Sequence, residues 1–267
     1  MPSLVLSSQY TSDSQVLREA ARDLGWETLR LGGQRLPDWF DPPDQEIAMF
    51  FTAPCAFDVA SQLGRSLTGC PPEWTIALPE NFLSREIRQT TLSDALAITK
   101  PQFVKHSVSK AFPAAVYTSQ SLAEATERIQ LTSVVHVGEP VSFEVEYRCF
   151  VYDRSIATIC PYLRYGNAIE DHVDTLGATA HELDAAKAFA QSVLDCDAVN
   201  CPPAFVLDVG LISGRGWAVI EFNECWASGI YSCDPERVLE TLVRACVPST
   251  SVEPEWDFQQ HYFNACS

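Results

Sequence analysis

A chain of 267 residues has room for one large α/β unit or two compact lobes. Its hydrophobic fraction of 46% supports a buried core, while 35 acidic against 18 basic side chains leave a net charge of −17. That balance argues against nucleic acid as a main partner but leaves room for a phosphorylated small molecule, which needs only a few local Lys or Arg residues.

In chain order, "SLVLSS" predicts a buried strand. "SDSQVLREAARDLGW" predicts a helix capped near Ser12 or Asp13 and stopped by Gly25, with Val16, Leu17, Ala20, Ala21 and Leu24 at helical spacing. "ETLRL" and "IAMFF" predict two further strands, "FDVASQLG" a short helix and "WTIAL" another strand. This alternation suggests a small parallel sheet with covering helices. No G-x-G-x-x-G follows the first strand, which speaks against a dinucleotide site there.

From about Thr99 the pattern changes. "PQFVKHSVSKAFPAAVYTS" predicts two short strands around a loop, followed by a helix from Ser121 to about Gln130 with capping-box spacing at Ser121 and Glu124. The segment from Thr132 to Gly166 reads as strand-rich, broken at Gly138-Glu139-Pro140 and at Asp153-Arg154. A helix follows from about Thr179 to Leu194, then two strands around "LISGRG", then a helix opened by Asp234-Pro235. The tail "PSTSVEPEWDFQQHYFNACS" reads as irregular. The first residues carry no basic, apolar, cleavage-like sequence of a signal peptide, and no apolar run approaches the ~20 residues of a membrane span. The ten cysteines are scattered and form no C-x-x-C, and Cys149 and Cys160 lie in apolar segments as small hydrophobes. A reducing cytoplasm is the economical expectation.

The hairpin "AFVLDVGLISGRGWAVIEFNE" carries the first chemical signal. A two-residue turn at Gly214-Arg215, with Gly214 at positive φ, sets Ser213 opposite Gly216 and therefore Asp208 opposite Glu221. Asn223 falls on the same face, and Val206 and Val219 are the expected apolar neighbours. Opposed carboxylates repel. Either a cation lies between them, for which two carboxylates and an amide oxygen make a hard ligand set suited to Mg²⁺, or the strand end is frayed and solvated. Basic candidates are Lys105 and Lys110 in "FVKHSVSKAF", Arg148 beside Glu144 and Glu146 in "FEVEYRCFVYD", and Arg164 in "PYLRYG". Each alone also fits an ordinary surface or a salt-linked strand. G-x-x-x-x-G-K-[ST], H-E-x-x-H and G-x-S-x-G are absent, and His106 and His136 read as structural.

Taken in order, these pieces resemble the ATP-grasp superfamily, and more narrowly its compact bacterial and phage proteins related to amide-forming ligases. The strongest match is "VLDVGLISGRGWAVIEFNECWASGIYSCDP". The resemblance implies an α/β (α+β) ATP-grasp fold: a small N-terminal α/β domain over 1–98, a two-lobed grasp domain over 99–247 hinged near 134–141, and a tail over 248–267. It implies Asp208, Glu221 and Asn223 as ligands of Mg²⁺ or Mn²⁺, and Lys105 and Lys110 as contacts to ATP. Glu146 and Arg148 form its acid-x-Arg strand, with Arg148 on phosphate and Arg164 as a clamp on the acyl phosphate or the acid substrate. Val137 and Glu139 stand in its interlobe hinge, which would bind adenine and ribose. The phosphate-covering loop departs from the family, since "KHSVSKAF" has no Gly.

The implied activity is ATP-dependent ligation of a carboxylate to an amine, each a small molecule or a peptide, through an acyl phosphate. A small-molecule kinase and a non-catalytic ATP-binding module are the alternatives. Neither nucleic acid nor membrane is an expected partner, and the sequence leaves the oligomeric state open.

Overall fold

The apolar run Leu4-Val5-Leu6 forms the middle of a parallel sheet in the computed structural model, which describes residues 1–40, 46–52, 55–168 and 179–266. Strand β1 (Ser3–Leu6) is followed by helix α1 (Ser12–Asp23), β2 (Glu27–Arg30), β3 (Ile47–Phe50) and α2 (Cys55–Gln62), and the sheet order is β2-β1-β3. A parallel sheet needs cover on its faces. Leu17 and Ala21 of α1 and Phe57 and Val59 of α2 are buried with it in one core. The cap of α1 is Thr11 rather than Ser12 or Asp13, because Thr11 and Ser14 exchange side-chain and backbone hydrogen bonds at 3.1 and 3.0 Å.

The next elements are β4 (Arg65–Leu67) and α3 (Trp74–Ala77). The second of these corrects the expected strand at "WTIAL". So short an apolar run carries no decisive period, and here it follows Pro71-Pro72 and is anchored by the Trp74 indole, which donates to the Asn200 carbonyl at 2.6 Å.

Strands β5 (Ile87–Thr91), β6 (Gln102–His106), β7 (Ala115–Tyr117) and β8 (Val134–Gly138) form an antiparallel sheet in the order β5-β8-β6-β7. Helices α4 (Leu92–Ala95) and α5 (Ser119–Ala125) lie between them in sequence and bury Leu92 and Leu122 against it. The expected helix from Ser121 to Gln130 is thus shorter and earlier. Its capping box is Thr118 with Ser121, not Ser121 with Glu124.

Strands β9 (Phe143–Tyr152), β10 (Ser155–Arg164) and β11 (Asn167–Ala168), helix α6 (Ala180–Leu194), and strands β12 (Ala204–Ile212) and β13 (Gly216–Asn223) follow. Their antiparallel sheet runs β11-β10-β9-β12-β13. Alternation along β9 divides its residues between two faces. Val145, Tyr147, Cys149 and Val151 pack with Val193 and Leu194 of α6, while Phe150 joins the core shared with the parallel sheet. Arg148 is therefore aimed at the side where the three sheets meet.

Helix α7 (Pro235–Ala245), capped by Asp234, fills that shared core with Val238, Leu239 and Leu242. Strand β14 (Cys246–Pro248) pairs with β4. The tail is not irregular, since helix α8 (Phe258–Cys266) closes the described chain. Phe258 packs on Phe57 and Trp226, and Trp256 is also buried. No described helix is long and apolar enough to cross a membrane.

Candidate functional site

The ladder places Arg148 opposite Asp208 and Asp208 opposite Glu221, so a cation and two acids form one row across β9, β12 and β13. The Asp208–Glu221 pairing is the expected one, reached by a different route. The hairpin closes at Ile212↔Gly216, with Gly214 and Gly216 both at positive φ, and a bulge at Ile220 restores the offset. The same bulge turns Val219 to the opposite face, into the α6-side core, while Val206 stays on the Asp208 side.

Arg85, which sequence reasoning missed, holds that bulge. Its guanidinium donates to the carbonyls of Val219 at 2.6 Å and Ile220 at 2.8 Å. Burial lowers its pKa to about 10, against the opposing pull of Glu221 and Glu146. Arg85→Ala strips both carbonyls of their donor and is expected to cost about 2–3 kcal/mol. Urea unfolding checks this, and an unchanged midpoint would show that Arg85 does not support the bulge.

Asp208 is fully buried and takes a two-pronged bond from Arg148, Nε to Oδ1 at 3.0 Å and Nη2 to Oδ2 at 2.7 Å. Burial pushes the Asp208 carboxyl above its ordinary range, and Arg148 pulls it down. For Arg148, burial opposes the charge but Asp208 outweighs it, so the guanidinium holds its proton more firmly than a free one. The Asn223 amide donates to Asp208 Oδ2 at 2.9 Å and to Glu221 Oε1 at 3.2 Å, which brings the two acids to a common point.

Lys105 arrives from the other sheet, on β6, and forms an ion pair with Glu221 Oε2. Burial raises the pKa of Glu221, yet Lys105, Asn223 and Arg148 outweigh it and hold the carboxyl down at about 2. The loop from Lys105 to Lys110 is shaped by the buried His106, whose Nδ1 accepts the backbone N–H of Val108 at 3.3 Å and of Ser109 at 3.2 Å. Lys110 is exposed at the loop's end, near enough to Glu224 to lower that carboxyl's pKa.

Glu224 itself was not foreseen. Burial, reinforced by Glu221, raises it to about 7 from an ordinary 4.5. Below pH 4.5 the group is protonated folded or unfolded and costs nothing. As pH rises toward 7 the unfolded chain releases the proton first, so stability falls, and above 7 the cost is constant. Glu224→Gln should therefore be more stable than wild type by roughly 1–3 kcal/mol at pH 8 and equal to it at pH 4. Equal stability at both pH values would contradict the burial of this charge.

Glu146 shares the site face. It accepts from Tyr162 Oη at 2.7 Å, and its pKa is raised by burial despite that bond. The rings of Tyr162 and Tyr231 each lie 5.1 Å from the Arg148 guanidinium, and Gly229 O accepts from Arg148 Nη1 at 3.0 Å.

The structure does not bring every expected residue here. Arg164 lies opposite Val145, on the α6 face, where Nη2 pairs with Glu182 at 2.7 Å. Val137 is paired on both sides, to Arg88 and Val104, with its side chain in the core. Glu139 lies just past that strand, in a two-pronged exposed pair with Arg215 of the hairpin turn at 2.7 and 2.9 Å. That contact ties the end of the lysine sheet to the acid hairpin.

Among the described residues, no three His, Cys, Asp or Glu side chains converge as a ready-made metal group. The convergence of Asp208 and Glu221 on one amide nevertheless fits a hard cation. Turning Asn223 to present Oδ1 completes an all-oxygen set, and Mg²⁺ characteristically takes one or two carboxylates with phosphate oxygens as its other ligands.

A parallel α/β unit, an antiparallel lysine sheet and an acid-bearing hairpin sheet meeting at one cleft define the ATP-grasp architecture. D-alanine–D-alanine ligase from Bacillus anthracis has a similar structure, with a TM-score of 0.55 at 13% identity over 92% of this chain and 97% of that one. D-cycloserine synthetase DcsG, at 0.55, 15%, 90% and 98%, and the ATP-grasp ligase PsnB complexed with minimal precursor, at 0.52, 14%, 90% and 98%, are also similar. The sequence profile of an ATP-grasp domain, family 2 of its clade, matches residues 82–241, and the chain belongs to that ATP-grasp family. No curated sequence matches the chain.

Proposed function

We propose that this protein is an ATP-dependent carboxylate–amine ligase that works through an acyl phosphate. The observation that carries this reading is the meeting of Lys105 from one sheet with Glu221, Asp208, Asn223 and Arg148 on another. It is supported by the fold shared with proteins described as D-alanine–D-alanine ligase, D-cycloserine synthetase and an ATP-grasp ligase complexed with a precursor.

Asp208, Glu221 and Asn223 would hold Mg²⁺, which when bound bridges the ATP phosphates and neutralises charge at the transferred group. Lys105 would leave Glu221 for a phosphate oxygen, a change that trades one ion pair for another. Lys110, exposed on the loop, would close on the phosphates as a point charge. Arg148 keeps Asp208 ionised and oriented, and its unshared N–H groups would meet phosphate once Gly229 and Tyr231 shift. Glu139 and the backbone beyond Gly138 would receive the nucleoside, since Val137 is committed to the sheet. Arg164, with its partner Glu182, would act on the far face, away from the reacting phosphate.

In the reaction a substrate carboxylate attacks the γ-phosphate, ADP leaves, and an amine then displaces phosphate to form the amide. The chain's residues supply positioning and charge, which is most of what phosphoryl transfer requires. The acid and amine are small molecules or peptides. Mass spectrometry of ATP with pooled acids and amines tests the reading, and an amide whose formation depends on ATP and on both partners is expected. A stable phosphorylated acceptor made without amine would instead identify a kinase, and Mg·ATP binding with no ADP formed across the panel would identify a binding module.

A further inference from the structure

Cys160 and Cys233 are 73 residues apart in sequence, yet their sulfurs lie 2.9 Å apart, inside ordinary non-bonded contact. Cys160 stands opposite Arg148 on β10, and Cys233 ends the turn that carries Gly229 and Tyr231, with its thiol toward the Arg148 carbonyl at 3.7 Å. Both are buried, at 3% and 4% exposure, but the pair is not in a purely apolar setting. The hydroxyl of Ser232 lies beside Cys160 and that of Thr158 beside Cys233.

We propose that Cys160 and Cys233 form a reversible thiol–disulfide pair, oxidised by a hydroperoxide and reduced by an external thiol. The inference goes beyond the ligase reading and does not depend on it. A hydrogen bond from Cys233, and then Ser232, lowers the Cys160 pKa, whereas burial raises Cys70, Cys149, Cys225 and Cys246. Cys160 is thus the thiol that ionises and attacks.

The Cys160 thiolate attacks one peroxide oxygen and the O–O bond breaks, giving a sulfenic acid and hydroxide, which takes up the Cys160 proton and leaves as water. The Cys233 sulfur then attacks the sulfenyl sulfur, the S–O bond breaks, and the hydroxyl departs with the Cys233 proton as a second water. Two thiols lose two electrons and the peroxide gains them. The new bond ties β10 to the turn whose Gly229 carbonyl and Tyr231 ring hold Arg148.

The test treats the reduced full chain with hydrogen peroxide, alkylates it at intervals and maps the peptides by mass spectrometry. Cys160 and Cys233 should appear as one crosslinked pair lighter by two hydrogens, lose alkylation at least about tenfold faster than Cys149 or Cys225, and recover it with dithiothreitol. In Cys233→Ala, dimedone should trap a sulfenic acid on Cys160; where that variant does not fold, the wild-type map alone decides. Crosslinks spread over other cysteines, or Cys160 and Cys233 still open to alkylation after the others have oxidised, would overturn the proposal.

Discussion

Glu221→Gln should leave the protein folded and lower ATP-dependent turnover by at least about 100-fold. The substitution removes an anionic metal ligand with little change of volume, and it also releases Lys105 from its ion pair. The Glu221 side chain is 29% exposed, so the pair adds little to folding, about 1 kcal/mol or less after solvent screening. That contribution has a defined pH window. Against the opposing effect of burial, Lys105 and Asn223 hold Glu221 at about 2, below its ordinary 4.5, so its share of stability is complete above pH 4.5 and is lost as pH falls toward 2. The Gln variant should lack this acid-sensitive segment and differ from wild type by no more than that amount. Steady-state ADP release and unfolding between pH 2 and 7 check both parts. Turnover at the wild-type rate would remove Glu221 from the metal site.

The largest loss of stability should follow Asp208→Ala, about 3–5 kcal/mol. Asp208 is wholly buried, and its removal strands the Arg148 guanidinium, which is 9% exposed and cannot shed its proton. Arg148→Met should cost less, because the abandoned Asp208 can take a proton and become neutral. The two variants therefore separate by pH. Arg148→Met should regain stability relative to wild type as pH falls, while Asp208→Ala should not. Equal losses with no pH dependence would mean the pair is not held as a buried ion pair. The double variant should recover part of the Asp208→Ala loss, since it no longer buries a lone charge.

The acid pair was legible because a hairpin fixes register from its turn outward, and Asp208 and Glu221 are counted from the same Gly-containing turn. The turn itself was misread by one residue, and the bulge at Ile220 offset the error. No period-two count announces a bulge, and its support, Arg85, is more than 130 residues away in sequence. The position of Arg148 opposite Asp208 was equally hidden. A whole strand and helix α6 separate them, so no local spacing relates the two.

Lys105 and Glu221 meet across two sheets, and only the order of motifs in the family resemblance suggested it. Arg164 failed for a related reason, because the irregular pairing between Pro161 and Leu163 changes which β10 residues face the site. Tyr162 takes the place beside Arg148 instead. In the tail, Trp256, Phe258 and Tyr262 were a readable signal of packing, since so many large apolar groups near one end seldom stay in water.

Chemistry at the γ-phosphate is the central claim, and an oxygen label follows it most directly. A carboxylic acid found active in the pooled assay would be supplied with its carboxylate oxygens replaced by ¹⁸O, together with ATP and the amine. The ligase mechanism predicts that each amide formed is matched by one inorganic phosphate carrying one ¹⁸O, because the acid oxygen that attacks phosphorus leaves with it. Unlabelled phosphate released alongside the amide would contradict the acyl phosphate and the function built on it.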